Sequence, residues 1–116
     1  MTEAEIQRDI LLAAPRMGVR LLRNNIGKFE DKTGRWVSYG LGGSGGSDLI
    51  GWTMHRGVAV FTAVECKAPG ARTSKERLNQ QIAFVEAVSA AGGIAGVCFS
   101  VLDFSHLVEG WRLRNG

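Results

Sequence analysis

The feature that most constrains the fold of this chain is a pair of apolar runs separated by one helical segment. The runs are VAVFTAVECK at residues 58–67 and IAGVCFS at residues 94–100, and both are typical of buried strands. The helical segment spans residues 74–91, and its predicted inward face consists of Leu78, Ile82 or Gln81, Val85, and Val88 or Ser89. A strand–helix–strand unit should cross over right-handed and place its two strands parallel in one sheet.

The segments around this unit predict further strands and two more helices. The strand-like segments are residues 19–25, a hairpin at 27–40 that turns at 32–34, and residues 48–54, which turn at 55–57 into the first apolar run. Thr2 can cap a first helix, which should bury Ile6, Ile10 and Ala13 or Ala14 and end at Pro15 and Gly18. VLDFSHLVEGW predicts a short closing helix. We therefore expect a single α/β domain, 1–116, with a mixed sheet flanked by helices.

Composition limits the class of protein and its location. With 45% hydrophobic residues the chain can form a core, and no apolar run approaches the roughly 18 residues of a membrane span. The acidic, polar N-terminus MTEAEIQRD is unlike a signal peptide. Cys66 and Cys98 lie in apolar stretches without metal-ligand spacing, which favours packed thiols over a disulfide. We expect a cytoplasmic protein that does not associate with a membrane.

The charge balance is compatible with a polyanionic partner. The formal net charge is +3 with a pI of about 9.2, and ten of the fourteen cationic side chains are arginine. Arginine binds phosphate through two parallel hydrogen bonds. Many small basic proteins bind nothing anionic, so charge by itself does not establish nucleic acid as the partner.

The glycine-rich segment YGLGGSGGSDLIG, residues 39–51, permits two interpretations. Its first half fits G-x-G-x-x-G, and Glu65 follows Gly45 at the spacing of the acidic residue in dinucleotide-binding proteins. That fingerprint also requires a helix directly after the loop. Only ten residues separate Gly46 from Gly57, too few for the helix of a parallel crossover. We therefore favour a connecting loop that delivers Asp48 to a site, and we expect no nicotinamide or flavin cofactor.

Two carboxylates and an ammonium group should meet at one edge of the sheet. Asp48 opens one predicted strand, and Glu65-Cys66-Lys67 closes the next. If these strands pair antiparallel, Asp48 lies beside Glu65, while Glu65 and Lys67 point to one face. Such a group suits Mg²⁺, with Asp48, Glu65 and the backbone carbonyl of Cys66 as ligands and Lys67 beside the attacking water. The alternative is an ordinary salt-bridge cluster at a strand end.

The linked motifs resemble a known nuclease family. Asp48 followed by Glu65-x-Lys67 resembles the PD-(D/E)xK nuclease pattern, with Ser47 where a proline usually stands. The surrounding motifs are similar to those of the VRR-NUC family, small nucleases found alone, in bacteria and phages, or fused to larger repair proteins. The similarity covers roughly residues 2 to 108 and is carried by TEAEIQ, RNNIG, GGSDLIG, VECKAPG and RLNQQIAFVEAVSAAGGIAGVCFS.

The resemblance implies a fold, a cofactor and a set of site residues. The fold would be restriction-endonuclease-like, and the cofactor Mg²⁺, for which Mn²⁺ would substitute. Asp48 and Glu65 would be metal ligands, Lys67 the catalytic lysine, and Gln81 a supporting residue on the following helix. Glu3 would reach the metal through water. Its neighbour Glu5 is the alternative for this role, and a plain carboxylate favoured by the helix dipole is the alternative explanation of Glu3.

The resemblance also implies DNA as the substrate. A stand-alone member would cleave branched DNA, with a four-way junction as the favoured case, act as a homodimer and serve DNA repair or recombination. Activity on flapped or linear ends and a non-cleaving DNA-binding module are the alternatives. Arg72, Lys75 and Arg77 form a cationic segment, and Trp36, Trp52 and Trp111 are expected in the core or an interface. The residues predicted to contact DNA are Arg23, Asn24, Lys28, Ser47, Arg72 and Lys75.

Overall fold

A four-stranded mixed sheet forms the centre of the protein, whose computed structural model describes residues 1–116. The helices are α1 (Glu3–Ala13), α2 (Lys75–Ala90) and α3 (Val101–Arg114), and the strands are β1 (Val19–Arg23), β2 (Gly27–Glu30), β3 (Trp36–Tyr39), β4 (Leu49–His55), β5 (Val58–Cys66) and β6 (Ile94–Cys98). The main sheet has the order β1-β4-β5-β6, and β2 and β3 form a separate two-stranded sheet. The expected α/β class with a mixed sheet flanked by helices is confirmed.

The crossover from β5 through α2 to β6 has the predicted geometry. β5 and β6 pair in parallel, whereas β4 is antiparallel to both β1 and β5. The turn between β4 and β5 has positive φ at Arg56 (52°) and Gly57 (77°), as a two-residue type I′ hairpin requires. This short turn fixes the β4–β5 register and so determines which residues meet at the far end of the two strands.

The main hydrophobic core lies between one face of the sheet and helices α1 and α3. Ile6 and Ile10 of α1 pack with Leu49 and Val64 of the sheet and Phe104 of α3, all fully buried. Thr2 caps α1 as expected, and Ala14, buried in the short 3-10 helix that follows, completes the apolar stripe instead of Ala13. That 3-10 helix ends at Gly18, which has a φ of 73°.

The two cysteines are free thiols in this core, as the sequence predicted. Cys66 and Cys98 are register partners on adjacent strands and are almost fully buried. Burial raises the pKa of the Cys98 thiol to about 12 and raises the pKa of the Cys66 thiol as well. Such thiols are chemically inert at neutral pH, because the thiolate is the reactive form.

The predicted inward face of α2 is wrong in part. Leu78 and Ile82 are 38% and 41% exposed, whereas Gln81 is the buried residue of this helix. Val85 and Val88 are partly buried, as predicted. The residues of α2 that face the sheet are Gln81, Val85 and Val88. Gln81 faces inward because it donates a hydrogen bond to Glu65, on the face of the sheet opposite the main core.

Two of the three tryptophans lie outside the core. Trp36 on β3 is 62% exposed and Trp52 on β4 is also exposed, so neither lies in the core, and the predicted alternative of an interface stays a prediction for both. Trp111 of α3 is half-buried and meets His55 edge to face, with 5.0 Å between the ring centroids. No helix in the structure is both long and apolar enough to cross a membrane.

Candidate active site

Strand pairing brings Asp48 and Glu65 together, as the sequence predicted. The antiparallel register matches Leu49 with Val64, so the residue before β4 lies beside the end of β5. One carboxylate oxygen of Asp48 accepts a hydrogen bond from the backbone N–H of Cys66, at 2.8 Å. This bond fixes the Asp48 carboxylate against the strand that carries Glu65.

Glu65 is a buried carboxylate with too few partners. Only 4% of the residue is exposed, its Oε1 accepts a 3.3 Å hydrogen bond from Gln81 Nε2, and its Oε2 has no partner. Burial and then the charge of Asp48 raise the pKa of Glu65 from 4.5 to about 8, while Lys67 and Arg77 act in the opposite direction. The positive charges of Lys67 and Arg77 therefore compensate the pair of carboxylates only in part.

Lys67 lies directly after β5 and is held on two sides. Only 9% of the residue is exposed, and its backbone N–H donates to the carbonyl of Cys98 at 3.1 Å. Its ammonium Nζ donates to the Thr73 hydroxyl at 2.8 Å and forms no ion pair with a carboxylate. The ammonium group is thus positioned close enough to Glu65 to influence its charge without being neutralised by it.

The first turn of α1 distinguishes the two candidate glutamates. Glu5 closes a capping box, because its carboxylate accepts hydrogen bonds from the N–H and hydroxyl of Thr2. Glu3 is exposed and its carboxylate makes no hydrogen bond, yet its charge is close enough to raise the pKa of Cys66 slightly. Of the two carboxylates, that of Glu3 is therefore the one with no hydrogen bond within the protein. Its role at a metal stays a prediction.

Asn24 holds the glycine-rich loop in place. Its side-chain amide donates to the carbonyls of Leu41 (2.8 Å) and Ser47 (3.0 Å) and accepts from the N–H of Leu41 (2.9 Å). Its backbone N–H also donates to the carbonyl of Asp48 at 2.8 Å. The amide predicted to contact DNA is thus engaged within the protein and positions the loop that leads to Asp48.

The same loop packs closely on α2. A Cβ at Gly45 would stand 2.5 Å from the backbone oxygen of Gln80, and Ser44 donates a 2.8 Å hydrogen bond to the Gln80 side chain. Glycine is required here because the loop backbone approaches a helix. The loop leads into strand β4 and not into a helix, so the structural requirement of dinucleotide binding is not met.

An open groove of about 1020 Å³ runs past Asp48. Arg23 and Arg77 supply its cationic side chains, and Arg23 is oriented by a 2.8 Å hydrogen bond to Gln7 of α1. The walls belong to α1, the start of α2, the glycine-rich loop and the base of the β2–β3 hairpin. The groove therefore combines the Asp48 carboxylate with hydrogen-bonding walls that carry two arginines and one further carboxylate, Glu76.

The match to a family model decides the identity. The model of the VRR-NUC domain matches residues 2–102 of the 116. The chain belongs to the VRR-NUC family. Membership makes it a nuclease of the PD-(D/E)xK superfamily, with DNA as its substrate. No curated protein matches the chain.

The DNA-contact residues predicted for this VRR-NUC domain fall in different places. Arg23 lines the groove, whereas Lys28, Arg72 and Lys75 lie outside its lining. Ser47 is 1% exposed, so its hydroxyl does not face the groove as a DNA contact requires.

Two residues of the site are absent from the predicted DNA contacts and site residues. Arg77 belongs to the predicted cationic segment with Arg72 and Lys75, but it is the one of the three that lines the groove. Thr73 contacts Lys67 from a loop, and no sequence pattern marks it.

The donors at this VRR-NUC site suit Mg²⁺. Asp48 and Glu65 supply carboxylate oxygens, Cys66 supplies a backbone carbonyl, and the unpartnered buried oxygen of Glu65 is a ready acceptor of positive charge. The chain contains no group of three or more His, Cys, Asp or Glu side chains that could hold a metal ion. Mg²⁺ fits such a site, because it takes one or two carboxylates and completes its shell with water and phosphate oxygens.

Proposed function

We propose that this nuclease is a divalent-metal-dependent DNA endonuclease that cleaves branched DNA as a homodimer, with a four-way junction as its preferred substrate. The observation that carries the proposal is the Asp48–Glu65 pair, in which Glu65 is buried with an unpartnered oxygen, beside the unneutralised ammonium of Lys67. A purely structural cluster would pair these charges with one another. Here the ammonium is bonded to a hydroxyl and the carboxylates are left short of positive charge.

Asp48, Glu65 and the carbonyl of Cys66 would hold Mg²⁺, for which Mn²⁺ would substitute. Such an ion, when bound, polarises the phosphate and makes water a better nucleophile. Glu3 would contribute through a water molecule from the start of α1. Gln81 keeps Glu65 in place through its 3.3 Å hydrogen bond, so that the Glu65 carboxylate faces Asp48.

The other residues act on the DNA and the attacking water. Water attacks phosphorus in line with the leaving oxygen, and the phosphodiester bond breaks as the new P–O bond forms. Lys67 stabilises the negative charge that develops on the phosphate oxygens and orients the water. Arg23 and Arg77 hold the flanking phosphates along the groove.

The homodimer is supported by exposed apolar side chains on the α2 side of the sheet. Trp52 and Phe61 are neighbours across β4 and β5, and both are exposed, as is Ile82 on α2. Adjacent exposed aromatic side chains such as Trp52 and Phe61 are typical of association sites. A two-fold dimer would place two active sites across a two-fold junction.

The test is cleavage of a labelled four-way junction beside linear and flapped duplexes of the same sequence, each with Mg²⁺, Mn²⁺ or EDTA. Symmetric, metal-dependent nicking of the junction supports the whole proposal. Metal-dependent cutting of all substrates keeps the endonuclease and removes the preference for junctions. Cutting confined to flapped or linear ends favours that alternative, and binding without cutting in any metal contradicts an enzyme.

A further inference from the structure

The β2–β3 hairpin stands apart from the rest of the protein. Its two strands pair only with each other, and almost all of their residues are exposed. The radius of gyration is 14.9 Å, whereas a compact chain of this length has about 13 Å, and the longest axis is 50 Å against 25 Å for the shortest. The hairpin thus projects from the body, and its turn is held by Asp31, which accepts hydrogen bonds from Thr33 and Arg35.

One face of the hairpin carries two of its three aromatic side chains. Gly27 is opposite Tyr39 and Phe29 is opposite Val37, so Phe29, Val37 and Tyr39 share a face, here named the aromatic face. Phe29 is 51% exposed and Tyr39 48%, and their ring centroids are 6.4 Å apart. The ring of Tyr39 lies across Gly27, where a side chain would collide with it. Trp36 lies on the opposite face, across from Glu30.

The aromatic face is continuous with the groove that holds Asp48. Gly27 and Tyr39, at the base of the hairpin, line that groove, and Phe29 extends the same face outward. Cationic side chains lie close to this face, since Arg23 and Arg77 line the groove and Lys28 and Lys32 are exposed on the hairpin. The nearby acidic side chains are Asp48 and Glu76 in the groove and Glu30 on the opposite face of the hairpin. Exposed rings that lead away from a groove lined by arginines are complementary to bases attached to a phosphate backbone.

We propose that the aromatic face stacks on unpaired bases of the DNA next to the cleaved phosphodiester. The substrate class is then branched DNA whose bases at the branch are unpaired, as in splayed arms and flaps. This inference rests on the proposed endonuclease function but not on its preference for a four-way junction, whose bases are paired. Stacking one base on a ring favours binding by roughly tenfold. Extruding a paired base opposes binding by at least as much, so two rings select DNA that is already unpaired.

A second copy of the chain is a poorer occupant of this face. An aromatic side chain offers about 200 Å² when fully accessible, so two half-exposed rings offer about 200 Å² together. A stable interface buries about 800 Å² on each partner. The aromatic face is therefore the right size for one or two bases and too small to hold a dimer together.

The experiment compares three variants on two DNAs. The DNAs are a splayed-arm duplex with 2-aminopurine in its unpaired arm and a continuous duplex, both titrated in EDTA so that binding is measured without cleavage. The variants are Phe29→Leu, which removes the ring, Phe29→Tyr, which keeps it, and Trp36→Leu, which removes an exposed ring from the opposite face. Thermal unfolding and light scattering establish the fold and the mass of each variant.

The expected result separates the two DNAs. Phe29→Leu should bind the splayed-arm DNA about tenfold more weakly and lose its 2-aminopurine quenching, with less than a twofold change on the duplex. Phe29→Tyr and Trp36→Leu should match the original protein.

Several outcomes would overturn the inference. Stacking by this face is contradicted if Phe29→Leu weakens binding to both DNAs equally or to neither. It is also contradicted if Trp36→Leu weakens binding as much as Phe29→Leu does. A lower mass of Phe29→Leu in light scattering would instead show that the face contacts a second copy of the chain. Cleavage of the same DNAs by the unmodified protein in Mg²⁺ is recorded separately. Cleavage without the Phe29 effect would overturn the inference and keep the proposed endonuclease function. The Phe29 effect without cleavage would keep base stacking and contradict the endonuclease.

Discussion

Replacing Glu65 with glutamine should make the metal-free protein more stable at alkaline pH. The pKa of Glu65 is raised in the folded protein from 4.5 to about 8, chiefly by burial and then by the charge of Asp48. The folded state therefore retains a proton that the unfolded chain releases. The resulting stability is fully present below pH 4.5 and is lost as the pH rises towards about 8.

The size of the effect follows from this shift. Each pKa unit corresponds to about 1.4 kcal/mol, so ionising Glu65 should lower the free energy of unfolding by about 3 kcal/mol between about pH 5 and pH 8. Glutamine has the shape of the protonated acid and cannot ionise. The Glu65→Gln protein should therefore exceed the original by about 4 kcal/mol at pH 8 and by about 1 kcal/mol at pH 5.

The assay is urea unfolding in EDTA at both pH values. Glu86→Gln, which removes an exposed carboxylate from α2, is the matched control and should follow the original protein. Adding Mg²⁺ at pH 8 should stabilise the original protein and leave Glu65→Gln nearly unchanged. Parallel pH profiles for the original and Glu65→Gln proteins would refute the view that the carboxylate pair is short of positive charge.

Three further predictions concern the residues around the site. Thr73→Val removes the 2.8 Å hydrogen bond to Lys67, so it should lower kcat about tenfold and alter the pH–rate profile, whereas Thr73→Ser should behave like the original protein. Equal rates for all three proteins would exclude a positioning role for Thr73. Asn24→Ala removes three hydrogen bonds to the glycine-rich loop, so the free energy of unfolding measured by urea titration should fall by about 2 kcal/mol. Loss of DNA binding with unchanged stability would instead indicate that Asn24 contacts DNA directly. Gly45→Ala places a methyl group 2.5 Å from the backbone oxygen of Gln80, so the free energy of unfolding, followed by thermal unfolding, should fall by about 2 kcal/mol. An unchanged melting temperature would mean that the loop can move away from α2.

The parts of the fold that sequence predicts well depend on local patterns. The two apolar runs and the helix between them predict the parallel pair β5–β6, because the run length and the crossover rule leave few alternatives. The positions of Asp48 and Glu65 follow from the short turn between β4 and β5, which fixes the pairing at the far end. A carboxylate at the end of an apolar run is itself a local pattern, so the sequence displays it directly.

The parts that sequence misses depend on contacts between distant segments. The apolar period of α2 is satisfied by Leu78 and Ile82 and leaves Gln81 only as an alternative to Ile82. The structure buries Gln81, because Glu65 on the sheet supplies its partner. Asn24 has the composition of a DNA contact, but its amide is bonded to a loop 17 residues away. Hydrophobic periodicity cannot identify a polar residue whose burial is compensated by a specific partner.

If Asp48, Glu65 and Lys67 form a hydrolytic centre, removing the ammonium group should stop cleavage. The test is the cleavage rate of labelled branched DNA by the original protein and by Lys67→Ala. Arg16→Ala, which removes an exposed positive charge after α1, is the control for charge loss. The Mg²⁺-dependent rate of Lys67→Ala should fall about 1000-fold, with DNA binding retained and Arg16→Ala unaffected. Cleavage by Lys67→Ala at the rate of the original protein would contradict the assignment of the active site.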